Sequence, residues 1–223
     1  MQDVLVARVL GDPDAHGDAV EAAAAGAGAG APATPTTDVR SITLYGAPQI
    51  PAVVPFGPEH AFTYPPSRDV WSGSVPASTD ILITHTPPES HLELSPVFSL
   101  GCPFLLSELW RVRPSLHVFG HVHHGYGSQP VFWDKAQRSW ECLCSSRRDR
   151  ATSPPSNVVF ALLADLLDLP AWVDAAKVLI YGLLGLVWAR VWGGDVRGAW
   201  LVNAACMYGS TGRLGNKPQV VVL

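Results

Sequence analysis

The sequence predicts a layered α/β domain, on three observations. Short apolar runs with strand character alternate with segments of helical period from residue 41 onward. Two of those runs deliver histidines just past their C-terminal ends, the edge of an open α/β sheet at which ligands bind. Hydrophobic residues make up 48% of the 223 positions against 15% charged, which suits one domain with a sizeable core.

The elements follow in order. Residues 1–18 form an N-terminal segment in which Val4 to Leu10 has strand character and Gly11-Asp12-Pro13-Asp14-Ala15-His16-Gly17-Asp18 reads as an acidic turn. Residues 19–40 are rich in Ala, Gly, Pro and Thr and read as a linker, because such a composition buries too little apolar surface to offset its ordering entropy. The body of the domain is 41–223. Ser41 to Gly46 reads as a strand ended by Gly46-Ala47-Pro48, and 48–76 as an irregular proline-rich loop pinned by Phe62, Tyr64 and Trp71. Asp80 to Thr84 suits a strand buried on both faces. Leu105, Leu106, Leu109, Trp110 and Val112 recur at helical spacing, and Pro114 stops that helix. Leu116 to Phe119 is a further buried strand. The stretch 124–155 reads as loop, 156–169 and 173–192 as apolar helices, and 199–204 and 219–223 as strands.

The chemistry concentrates in His85, after one strand, and His121 and His123, after the next. Imidazoles two apart in a turn flanked by Gly120, Gly125 and Gly127 can face one ion, because glycine permits backbone conformations that other residues resist. Surface histidines without a metal are the alternative. His124 reads as a bystander, and Cys142-Leu143-Cys144 lacks the spacing of a metal motif.

Thr84-His85-Thr86-Pro87-Pro88, about 35 residues ahead of Gly120-His121-Val122-His123, resembles the H-x-P-P and G-H-x-H motifs of calcineurin-like metallophosphoesterases. Leu44-Tyr45-Gly46-Ala47-Pro48, Gly101-Cys102, Val202-Asn203-Ala204-Ala205 and Asn216-Lys217-Pro218 fit the same pattern, so the resemblance covers roughly 41–223. It implies an α/β-β/α sandwich, incomplete on its N-terminal side, and a divalent-metal cofactor of manganese, iron, zinc or nickel. It further implies hydrolysis of a phosphate ester, with His85 and His121 on one ion and His123 on the other. No catalytic residue is assigned. The family's D-x-H, G-D-x-x-D and G-N-H motifs are not found intact; Asp12, Asp14 and His16 are the nearest replacements, and an acidic turn at a frayed terminus is the plainer reading of them. The expectation is therefore a metal-dependent phosphoesterase with little activity as written, or a dead remnant that serves as a binding or scaffolding module.

A net charge of -4 gives no basic field for binding nucleic acid, which is not expected as a partner; a phosphate ester is. Four cysteines without a framework suggest reduced thiols and a cytoplasmic setting. Met1-Gln2-Asp3-Val4 does not open a signal peptide. Val178 to Ala189, twelve residues without a charge, is short of the roughly 20 needed to cross a bilayer, so no transmembrane span is expected. Residues 173–192 read as a buried helix, or as one whose Trp188, Arg190 and Trp192 contact a membrane interface. A membrane-associated helical protein built around 156–192 is a third reading.

Overall fold

The computed structural model describes residues 5–10, 40–52, 61–93, 100–152, 157–193, 198–208 and 212–222. Its strands are β1 (Leu5–Leu10), β2 (Arg40–Ala47), β3 (Ile50–Pro51), β4 (Thr63–Tyr64), β5 (Ile81–Thr84), β6 (Leu116–Phe119), β7 (Gly127–Phe132) and β8 (Gly198–Asn203). Its helices are α1 (Pro103–Val112), α2 (Lys135–Thr152), α3 (Val158–Leu166) and α4 (Leu169–Trp192), with a 3-10 turn at His123–Gly125. Six strands form one sheet in the order β1-β2-β5-β6-β8-β7, and β3 and β4 pair separately. All neighbours in the large sheet are parallel except the edge strand β7. The fold is α/β, as the alternation of strand and helix implies.

Strand residues alternate between faces, and here the two faces differ. Tyr45, Leu82, Phe119, Leu201 and Val131 point to one side and are buried with Leu105 and Leu109 of α1. That helix begins with Pro103 in its first turn, where a missing N–H costs nothing, and ends at Arg113 in a left-handed cap (φ 55) before Pro114. On the other side Leu44, Ile81, Leu116 and Trp200 are in register across four strands and only partly buried. Ile83 is 44% exposed, so β5 is not buried on both faces as its composition predicts. The reason is the layering: α1 packs on the face that carries Leu82, and Ile83 points to the other.

Four other elements depart from the sequence reading. Tyr64 and Trp71 do pin the 48–76 loop, with Trp71 Nε1 donating to Tyr64 Oη at 2.9 Å, but Phe62 is exposed and left-handed (φ 65). Of the stretch 124–155, read as loop, the part from 127 to 152 is mostly β7 and α2, and 153–155 lie outside the described residues. Pro130 sits in β7, and an edge strand tolerates the lost donor. α2 is polar for a helix and is held by specific contacts: Glu141 accepts from Trp110 Nε1 at 2.7 Å and bonds His91 Nε2 at 3.0 Å. Gln219–Val222 form no strand; Gln219 donates instead to the Asn203 carbonyl at the end of β8.

The two apolar helices are α3, capped by Asn157, and α4, capped by Asp168 at its start and by left-handed Gly193 at its end. α4 buries none of its residues, which corrects the buried-helix reading of 173–192. Its apolar positions outnumber what contact with α2, its neighbour, can cover. The four cysteines are all unpaired, Cys102 within the core and the others toward the surface.

Candidate functional site

Parallel strands β2, β5, β6 and β8 end together, and their C-terminal edge carries the site. β5 runs out into His85 and β6 into His121, and Gly120 N bonds the His85 carbonyl at 3.3 Å, so the two turns are joined directly. The His85 and His121 rings lie side by side, centroids 5.0 Å apart and tilted by 57°. They form one wall of a pocket of about 390 Å³ whose remaining walls are Pro48, Ile50, Ala61 and Phe62.

His121 takes an unusual backbone, as does Gly127 (φ 151) among the flanking glycines. The His121 φ of 64 lies in the left-handed region, where a Cβ costs roughly 1 kcal/mol. Gly120 has no positive φ and open space where a Cβ would stand. Gly125 is needed for a different reason: a Cβ there would come within 1.8 Å of the Leu92 carbonyl oxygen. Asn203, fully buried at the end of β8, stitches the same region by donating to Leu92 O at 3.0 Å and Val122 O at 2.8 Å. His123 opens the 3-10 turn that follows, partly buried, and His124 is exposed.

Behind the pocket lies a histidine outside the H-x-P-P and G-H-x-H motifs. His117 of β6 is fully buried, with Nε2 2.8 Å from Thr84 Oγ1. Thr84 gives its only hydroxyl proton to the Thr86 carbonyl at 2.7 Å, so the imidazole must donate through Nε2 and carry its lone pair on Nδ1. Nδ1 has no hydrogen-bond partner among the described residues. Burial, with His91 as a lesser cause, pushes the imidazole from an ordinary value near 6.5 down to about 3, so it is neutral at any physiological pH. The relay His117–Thr84–Thr86 fixes the backbone on both sides of His85. Its signal in the sequence is the period-2 position of His117, on the same strand face as Phe119.

The structure thus brings His85 and His121 together and keeps His123 on the adjoining turn. Among the described residues no three His, Cys, Asp or Glu side chains form a group able to hold a metal ion. Asp12, Asp14 and His16 lie outside the described residues. Neutral imidazoles suit zinc, iron, manganese or nickel as ligands, but two of them without a carboxylate leave most of a dication's charge uncompensated. The described residues therefore fit part of a metal centre and not the whole of one.

No family model matches the chain. A UPF0046 protein of Caenorhabditis elegans is 36% identical over 118 residues, which is 51% of this chain and 28% of that protein. The human metallophosphoesterase domain-containing protein 1 is 40% identical over 95 residues, 40% of this chain and 28% of its own length. A protein of Emericella nidulans named probable rhamnogalacturonate lyase C is 45% identical over 94 residues, 40% of this chain but 9% of that protein. The chain covers little more than a quarter, at most, of the length of these relatives. Over the matched segments the chain is metallophosphoesterase-like, in agreement with the H-x-P-P and G-H-x-H motifs.

Proposed function

We propose that this chain contributes the imidazole half of a metal-dependent phosphoesterase site, with His85, His121 and His123 as ligands and a phosphate ester as substrate. The single observation that supports this reading most is the strained His121, held in ring contact with His85 at the sheet edge where α/β proteins bind ligands. A bound divalent cation would polarise a phosphoryl oxygen and lower the pKa of a bound water. The residues themselves do the rest: the His117–Thr84–Thr86 relay orients the His85 turn, Asn203 and Gly125 hold the His121 turn against Leu92, and Phe62 with Ile50 offers an apolar wall for the organic group of an ester. The setting proposed is cytoplasmic.

The incomplete donor set favours a second reading, a catalytically dead binding or scaffolding module. Hydrolysis of a chromogenic phosphodiester with added manganese separates the two, run on this 223-residue chain and on a longer polypeptide that carries D-x-H and G-D-x-x-D motifs. The enzyme reading expects turnover in the longer chain that disappears in its His121→Ala variant, and at most weak binding of one ion by the shorter. Failure of both chains to bind metal or turn over substrate leaves the module. Turnover by the shorter chain, lost in its own His121→Ala variant, would locate further ligands within it, with Asp12, Asp14 and His16 the first to mutate.

A further inference from the structure

The surface least explained by a phosphoesterase site is the α3–α4 hairpin. Leu162 and Leu166 of α3 and Leu183, Leu186, Trp188 and Val191 of α4 are each 58–65% exposed. The ring stack of Trp188 on Trp192, centroids 4.6 Å apart, closes the end of α4 beside Arg190. At 100° per residue, the large apolar side chains of α4 sweep about two-thirds of its circumference, and the partly buried positions, such as Ala171, Ala175, Val178 and Tyr181, form the remaining strip toward α2. A second copy of the chain, or a protein groove, meets one face of a helix and would leave much of that arc wet. A lipid phase covers it all.

α4 is long and apolar enough to cross a membrane by length and composition, about 36 Å for its 24 residues. Its connections argue against crossing. α2 leaves from β7 and α4 returns to β8, and these two strands are paired in one sheet. α4 runs antiparallel to α2, Lys135 standing over the Tyr181 ring at 5.4 Å. One crossing would put the two ends of the hairpin on opposite sides, and α3, nine residues or about 14 Å, is too short to cross back.

We propose that the α3–α4 hairpin docks the protein on the surface of a bilayer, its apolar arc in the headgroup and acyl boundary of one leaflet. The test is flotation of the full chain with vesicles of phosphatidylcholine, with and without a phosphatidylserine fraction, followed by alkaline carbonate extraction. The wild type and a Val220→Glu control, which alters an exposed residue outside the hairpin, should float with both kinds of vesicle and be released by carbonate. The Leu184→Glu/Val187→Glu double variant, at two exposed positions, should bind about tenfold more weakly or worse with an unchanged circular dichroism spectrum. Because that variant could misfold, quenching of wild-type tryptophan fluorescence by brominated lipid gives a second readout, expected to be lost when Trp172, Trp188 and Trp192 of α4 are all replaced by Phe. Wild type that stays with the buffer, a folded double variant that binds equally well, resistance to carbonate, or stable dimers that ignore vesicles would each overturn the proposal.

Discussion

Lowering the pH should destabilise this domain through His117 in particular. The imidazole is neutral in the fold down to about pH 3 and titrates near 6.5 once exposed, so below 6.5 the unfolded chain binds a proton that the folded chain refuses. The contribution is fully retained above pH 6.5, falls by about 1.4 kcal/mol for each unit below it, and levels off near pH 3. Between pH 7 and pH 5 the loss from this one group is about 2 kcal/mol, a large part of a typical domain's stability. The assay is urea unfolding followed by tryptophan fluorescence at both pH values, for the wild type and for His117→Gln. Glutamine keeps a donor for Thr84 Oγ1 and cannot titrate. The variant should be less stable at pH 7 and show a pH 7 to pH 5 loss about 2 kcal/mol smaller than the wild type's. Equal losses in the two proteins would refute a buried, neutral His117.

Three further substitutions test other parts of the framework. His121→Gly should leave stability unchanged or raise it by up to about 1 kcal/mol, because glycine accepts φ 64, yet abolish whatever zinc or manganese binding isothermal calorimetry detects in the wild type. Gly125→Ala should cost upwards of about 3 kcal/mol by thermal or urea unfolding, since Leu92 backbone and not a side chain blocks the new Cβ. Glu108→Ala should cost about 3 kcal/mol by the same measurement: the carboxylate is buried, accepts from Val75 N at 3.0 Å and Gly73 N at 3.2 Å, and pairs with Arg111 at 2.7 Å. Burial alone would raise the Glu108 carboxyl, but Arg111 and those two amides outweigh it and hold it below its ordinary range.

What could be read in advance follows physical lines. β5 and β6 announce themselves because short, mostly apolar runs bounded by turn residues have few alternatives, and α1 because a clear helical period runs up to Pro114. The pairing of His85 with His121 follows from adjacent parallel strands ending at one edge. α2 is hidden because its hold on the domain is a few polar contacts, Glu141 to His91 and Trp110, which leave no apolar period to detect. The exposure of Ile83 has no signal in the sequence, because composition reports that a strand is apolar and not whether a second layer arrives to cover it. The left-handed backbone at His121 has no sequence signal at all, since any motif that contains glycines invites the assumption that the glycines take it.

The distribution of strain carries the functional argument further than the motifs do. Among the described residues five that are not glycine have positive φ: Phe62, Ser90, Leu92, Arg113 and His121. Arg113 is the end cap of α1, an ordinary use of that conformation. Phe62 and His121 both line the 390 Å³ pocket. Leu92 presents the carbonyl that Asn203 binds and that Gly125 must clear, on the far side of the His121 turn, and Ser90 is two residues before it. His117, with its unpartnered Nδ1, supports the same turns from below. Each departure costs of order 1 kcal/mol or more, and glycine or an apolar residue would remove it. Two of these departures, Phe62 and His121, line the pocket, and Leu92 and His117 brace the turns beside it, a pattern that fits a site where the geometry of side chains matters more than the stability they cost. A chain whose only task was to fill space would have no physical reason to set a histidine at φ 64 in ring contact with another.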